Sequence, residues 1–243
     1  MSQKIDIEYW YNPENKTINE PKTIIKDLAP IIIEKAKKIP PLKMIRFISN
    51  QFKYGRILLY FNDTDKQQIV KNLKLSGEML PYKVDYLQIN NANLGGNKTS
   101  LNVFQNISYK VSQSDDSYIG TLEITRDNLP NLLPNHLNRN YTRVFVPLGS
   151  KIISAESNGG SIMSELDQTE EYGRSVFGFW FKTSPSEKRT VKIIYKLPFE
   201  LNEKSDYHLL IQKQSGTNFD TISLDLPSKK INGFVWQNKT LSI

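Results

Sequence analysis

The sequence predicts an α+β protein, with a helical and mixed N-terminal part followed by an antiparallel, immunoglobulin-like β-sandwich. Three observations carry this expectation. Residues 21–77 place apolar side chains at helical spacing between start and stop signals. After Lys83 the texture changes to short alternating runs separated by Gly, Pro, Asn and Ser. With 38% hydrophobic and 11% aromatic residues over 243 positions, the chain can fill one large core or two modest ones.

The opening "MSQKIDIEYWYN" reads as a strand and lacks the apolar centre of a signal peptide. A first helix follows in "NEPKTIIKDLAPIIIEKAKKIPP", with Asn19 as cap and Pro21 in the first turn, where its missing N–H costs nothing. Ile24, Leu28, Ile31 and Ile32 form its apolar stripe, and Pro30 is expected to kink it. In "LKMIRFISNQFKYG" a second helix turns Met44, Ile45, Ile48 and Phe52 inward and stops at Gly55. "RILLYF" then reads as a buried strand. A third helix, "NDTDKQQIVKNLKLSG", shows capping-box spacing at Thr64 and Gln67 and closes at Gly77. Asp63 and Asp65 do not open a calcium loop, because Gln67-Gln68 stands where that loop needs its third ligand and its glycine. Helix capping accounts for them better.

Nine strands are expected beyond Lys83: "KVDYLQI", "LNVFQNISYKV", "YIGTLEITR", "YTRVFVPLG", "KIISAES", "RSVFGFWFKT", "RTVKIIYKLP", "DYHLLIQKQ" and "TISLDLP". Val144, Val146, Phe177, Phe179, Phe181, Ile193, Tyr195, Leu209 and Ile211 are the expected core. The Asn- and Pro-rich stretch 127–140 is read as a boundary. It separates a mixed α/β domain, 1–126 with a basic helical segment 20–77, from a β-sandwich domain at 141–243, of which residues from about 141 to 227 are expected to fold on their own.

The formal charge of +7 is concentrated in one place. Between Lys22 and Arg56 nine Lys or Arg face only Asp27 and Glu34, so the remainder is near neutral. Lys22, Lys26, Lys37, Lys38, Lys43, Arg46 and Lys53 are therefore candidate contacts to an anionic surface, either lipid or cell-wall polymer. The plain alternative is a solvated helix face. No nucleic-acid motif accompanies the charge, and nucleic acid is not an expected partner.

Catalytic patterns are weak. There is no Cys, which excludes disulfides, thiolate metal sites and cysteine nucleophiles. The stretch "ANLGGNKTS" resembles a phosphate loop, but Asn97 separates Gly96 from Lys98 and Asn91 stands where the first glycine belongs. The next segment alternates Val103, Gln105, Ile107, Tyr109 and Val111 at period two, so a strand follows where a nucleotide site needs a helix. A glycine turn between two strands is expected, with no nucleotide. His136 falls in a loop and His208 in a strand, a poor pair for a metal. Ser161 lacks the second glycine of a hydrolase elbow, since Met163 stands there. Asp115, Asp116, Glu165, Asp167, Glu170 and Glu171 are read as loop carboxylates. No catalytic, cofactor-binding or metal residue is assigned, and no cofactor is expected.

Several stretches together resemble one family, the large bacterial proteins grouped as domain-of-unknown-function family 4012. They are "ILLYFND…QQIVKNLKLSGEM", "DYLQINNANLGGNKTSLNVFQNISYKV", "GTLEITRDN", "YTRVFVPLGSKIISAES", "GRSVFGFWFKTSPSEKRTVKIIYKLP" and "YHLLIQKQSGT", in the family's order over roughly residues 56–226. The resemblance implies an extracytoplasmic setting at the bacterial cell envelope, membrane-associated through a span that this chain does not carry. It also implies correspondence to the C-terminal half of the family's ectodomain, with the upstream half as a partner. No catalytic residue carries over. The expectation is a non-enzymatic envelope module with a structural, adhesive or binding role. The alternative is part of an enzyme acting on cell-wall polymer or polysaccharide, which converging aromatics and carboxylates would favour.

Overall fold

The computed structural model describes residues 23–81, 84–96, 98–114, 117–129, 136–200, 207–217, 220–227, 229–235 and 237–242. The strand read at the N-terminus, the Asn19–Pro21 helix start, Lys22, Asp115 and Asp116 lie outside them. The chain divides into two compact units, 1–51 and 52–243.

The first unit contains α1 (Thr23–Lys37) and most of α2 (Pro41–Lys53). Pro41 occupies the first helical position of α2, where no N–H is needed, while Pro30 lies inside α1. The inward packing expected of the stripes is not found. Ile31 and Ile32 are each 51% exposed, Ile45 is 63% exposed, and α2 buries no residue. A stripe closes only against a facing layer, and two helices supply few partners.

In the second unit, α3 (Thr64–Asn72) is capped by Asp63 and not by Thr64: the Lys66 amide donates to Asp63 Oδ1 at 2.9 Å. Gln67 does not complete a capping box either, since its Oε1 accepts from the Phe61 amide at 2.9 Å. "RILLYF" is not a strand; it has no ladder partner among the described residues, and the Leu59 amide donates to the Leu75 carbonyl.

Among the described residues thirteen strands follow: β1 (Asp85–Asn93), β2 (Val103–Ser114), β3 (Ser117–Asn128), β4 (Asn138–Pro147), β5 (Lys151–Ser157), β6 (Gly160–Ser161), β7 (Asp167–Glu171), β8 (Arg174–Thr183), β9 (Lys188–Glu200), β10 (His208–Ile211), β11 (Asp220–Leu226), β12 (Lys229–Val235) and β13 (Lys239–Ser242). All nine strands read from alternation are present. The short or polar β6, β7, β12 and β13 were not anticipated, and Asp167, Glu170 and Glu171 lie on β7, not in a loop.

The strands form two sheets, ordered β13-β10-β1-β4-β8-β7 and β12-β11-β2-β3-β9-β5-β6. They are mixed, not purely antiparallel, because β10 runs parallel to β1 and β11 parallel to β2. Hairpin neighbours must run antiparallel, but strands far apart in sequence can meet in either direction.

The expected boundary at 127–140 does not divide the sheets. β1 pairs with β4 and β10, and β3 pairs with β9, so both halves contribute to both sheets. On either side of it, β3 ends at Asn128 in the second sheet and β4 begins at Asn138 in the first. The faces of the two sheets share one core. Leu87, Ile107, Leu122 and Ile124 from the first half pack with Phe177, Phe179, Ile193 and Leu209 from the second. All nine expected core residues are buried. The arrangement is sandwich-like, with strict in–out alternation along β3.

Towards one end the interior changes character. Register sets Asn91 opposite Thr142 and Thr142 opposite Phe179 in the first sheet. In the second sheet Gln105 pairs with Arg126 and Arg126 with Arg189. Here Arg126, Asn128, Asn138, Asn140, Thr142 and Thr183 are all buried. This polar end positions the candidate site.

Candidate functional site

Arg126 is the centre of the polar end. It sits on the inward face of β3, is only 3% exposed, and stacks over Phe181 at 5.6 Å. The alternation that sends Leu122 and Ile124 into the core sends Arg126 inward as well. Its NH1 donates to Asn91 Oδ1 at 2.6 Å and its NH2 to Asn138 Oδ1 at 3.2 Å. Asn91 Nδ2 then donates to Gln105 Oε1 at 3.0 Å, and Gln105 Nε2 to Asp220 Oδ1 at 3.2 Å. Four side chains from β1, β2, β3 and β11 thus form one string with a cation at one end and a carboxylate at the other. Among the described ion pairs, none joins Arg126 to Asp220 directly. All four line a pocket of about 300 Å³, with Leu101 and Phe104 at its apolar part.

Further bonds hold the string in place. Asn91 Oδ1 also accepts from Asn140 Nδ2 at 2.8 Å and from Thr142 Oγ1 at 3.0 Å. Asn138 Nδ2 donates to Thr99 Oγ1 at 2.9 Å. Arg126 Nε and Asn140 Oδ1 are buried and find no hydrogen-bond partner among the described residues. Such orphans are rare in folded interiors and mark sites that are incomplete or strained.

Burial pushes the Arg126 guanidinium down to about 10, with nearby Asp220 opposing, so it stays charged at neutral pH. Burial also pushes Asp220 up to about 6, opposed by Lys213, the Gln105 bond and Arg126. Lys213 is held below its ordinary value by burial, and its Nζ donates to Gln214 O, Thr217 O and Thr217 Oγ1. Arg126 and Asp220, both perturbed, line one concavity, as groups at functional sites do.

The glycine stretch takes the turn that the sequence implies. Gly96 and Lys98 adopt φ of 69° and 53°, and a short 3-10 segment, Thr99–Asn102, leads directly into β2. No α-helix starts at Lys98, so no fan of amides or helix dipole is available for a phosphate. The loop nonetheless serves the site, since Thr99 anchors Asn138 and Ser100 lines the pocket.

The basic candidates lie elsewhere. Lys26, Lys37, Lys43, Arg46 and Lys53 are exposed on α1 and α2, and Lys38 is exposed in the turn after α1. Lys37 pairs with Glu34 at 2.7 Å, and Lys53 lies 5.9 Å from the Tyr54 ring centroid. None of them lines the Arg126 pocket. His136 is exposed beside Arg139 in a shallow depression, and His208 Nδ1 lies 2.9 Å from Ser242 Oγ. Among the described residues no group of three or more His, Asp or Glu converges as a metal site. No described helix is long and apolar enough to cross a membrane.

A second buried ionisable group sits in the core itself. Asp85 begins β1, fully enclosed, and accepts from the Tyr86 amide at 2.8 Å, the Tyr109 hydroxyl at 2.8 Å and the Tyr207 hydroxyl. Burial drives its pKa up to about 7, the hydrogen bonds opposing. It does not line the pocket, and its partners are all within the fold.

Sequence reasoning missed Arg126, Asn91, Gln105 and Asp220. One signal existed: an arginine at an inward position of the alternating run "YIGTLEITR".

No family model matches the chain, and no curated protein matches it. Among solved structures it is similar to a Legionella pneumophila protein named for nutrient binding. That match has 7% identity and a TM-score of 0.36, covering 51% of this chain and 50% of that one. It is also similar to an M1 zinc metallopeptidase of Deinococcus radiodurans, at 12% identity and a TM-score of 0.25, covering 58% and 39%. The chain thus spans half or less of the length of each.

Proposed function

We propose that this chain is a non-enzymatic binding module of the bacterial cell envelope, whose ligand sits in the Arg126–Asp220 pocket. One observation carries the reading. A buried guanidinium and a half-buried carboxylate are held apart by the Asn91 and Gln105 amides on the wall of an open pocket. Buried charges left without a direct counter-ion are expensive to maintain, which favours a binding role over a purely structural one.

The extracytoplasmic setting rests on the resemblance to family 4012, as does correspondence to the C-terminal half of its ectodomain; the immunoglobulin-like class rests on the alternating strand pattern of the sequence. The exposed cations of α1 and α2 add attraction to anionic lipid or wall polymer. Hydrolysis of a glycosidic bond calls on two carboxylates flanking the scissile bond. The described lining brings one, Asp220, so binding is the better reading.

The test is a thermal-shift screen of the full chain against neutral sugars, sugar acids, amino acids and short peptides. Side-chain amide resonances then locate any hit. Shifts at Asn91 and Gln105 that disappear in Asp220→Asn support the pocket as the ligand seat. Hits mapping elsewhere, or none across the panel, overturn it.

A further inference from the structure

The charges around the pocket do not balance, and the imbalance says what the ligand carries. The Arg126 guanidinium offers five N–H donors. It gives one to Asn91 and one to Asn138, both neutral amides, and its Nε has no partner among the described residues. Asp220 is not its counter-ion by contact, and Asp220 already has Lys213 nearby as its own counter-charge. The Lys213 ammonium is spent on three oxygens, Gln214 O at 3.0 Å and Thr217 O and Oγ1 at 2.7 Å each. Arg56, close enough to act on Lys213, adds further positive potential. The lining itself carries one cation and one carboxylate; Lys213 and Arg56, outside it, tip the surrounding potential positive, and Arg126 is the lining cation that makes no ion pair among the described residues.

The other polar groups keep spare capacity of a different kind. Asp220 accepts one described hydrogen bond, from Gln105, and a carboxylate can accept about four. The second N–H of Gln105 Nε2 has no described acceptor. Both suit hydroxyl groups. Phe104 is 50% exposed and, with Leu101, provides an apolar surface for the C–H face of a sugar ring.

We propose that the pocket takes a sugar acid, with its carboxylate on Arg126, its hydroxyls on Asp220 and Gln105, and its ring against Phe104. This rests on the pocket being the ligand seat. A carboxylate matches the guanidinium fork in geometry as well as in charge, which a neutral sugar cannot do. The pocket is at the small end of ligand sites, sized for one sugar unit.

The experiment titrates the full chain by calorimetry with four probes: a hexuronate monomer, its trimer, the corresponding neutral hexose, and acetate. Hexuronate should bind at least about tenfold more tightly than hexose or acetate. Arg126→Lys should remove most of that preference, because an ammonium keeps the charge but loses the fork. Should Arg126→Lys fail to fold by circular dichroism, Phe104→Ala and Asp220→Asn carry the test, each weakening hexuronate by about tenfold. A trimer bound more tightly than the monomer identifies a polymer as the source, and equal binding per sugar unit identifies a free sugar acid. Hexose binding as tightly as hexuronate, or another ligand class mapping to Asn91 and Gln105, overturns the sugar-acid assignment and leaves the ligand seat standing. Failure of every ligand removes both.

Discussion

Replacing Asp85 by Asn should remove the pH dependence that this one buried group imposes on stability. Asp85 is wholly enclosed, with its Oδ1 accepting from the Tyr86 amide and its Oδ2 from the Tyr109 and Tyr207 hydroxyls. Burial raises its pKa from the ordinary 3.8 to about 7, and the three hydrogen bonds reduce the rise only in part. The folded chain therefore retains a proton that the unfolded chain releases near pH 4. Its stabilising contribution is complete below the unfolded pKa and is lost as pH climbs through the folded one. At about 1.4 kcal/mol per pH unit, wild type should lose about 4 kcal/mol across that window, with little further change above pH 7. Asp85→Asn has no such proton to release, and the tyrosine hydroxyls can rotate to accept from its amide. Urea unfolding of both proteins between about pH 4 and pH 8 gives the difference in stability directly. That difference should move in the variant's favour by about 4 kcal/mol and then level off. Asp220, also raised, to about 6, adds a slope of the same sign to both proteins and cancels. At the acid end the difference isolates the exchange of carboxyl for amide, about 1 kcal/mol. A difference independent of pH would refute the argument that the fold holds Asp85 protonated.

Three further outcomes follow from packing and charge. Gly120→Ala places a Cβ 2.8 Å from the Tyr195 ring and 3.2 Å from Tyr109, both buried, so urea denaturation should show a loss of about 1–3 kcal/mol; an unchanged midpoint would mean the rings yield freely. A fragment covering 141–243 lacks β1, β2 and β3, and with them Leu87, Ile107, Tyr109, Leu122 and Ile124 of the shared core. It should give no cooperative melt by circular dichroism, whereas 52–243 should; a cooperative short fragment would restore the sandwich as autonomous. Reversing the charges at Lys37, Lys38 and Lys43 should lower co-sedimentation with anionic vesicles at low salt, at about 1 kcal/mol per cation, with the gap closing at high salt. Equal recovery of the two proteins would leave these lysines as a solvated face.

Alternation is a local property, which is why the strands were legible from the chain alone. A strand such as "YIGTLEITRDN" declares which residues face inward whatever lies opposite, and every expected core residue is indeed buried. The glycine turn was equally legible, since the period-two run from Val103 leaves no room for an α-helix after Lys98. Helix amphipathicity is local too, yet a stripe needs a partner before it is buried, and Ile31, Ile32 and Ile45 stay exposed. Pairing is not local. Nothing within "TISLDLP" says that it lies parallel to β2, or that β1 lies between β4 and β10, so the boundary drawn at 127–140 followed composition and missed the topology. The site belongs to this second kind. Gln105 and Asp220 are 115 positions apart, and each resembles an ordinary polar strand residue until the two sheets bring it against Asn91 and Arg126. Periodicity determined which side chains point inward; only the closing of the two sheets decided which of them meet, because a hydrogen-bonded string across four strands exists in the packed fold and nowhere in the chain.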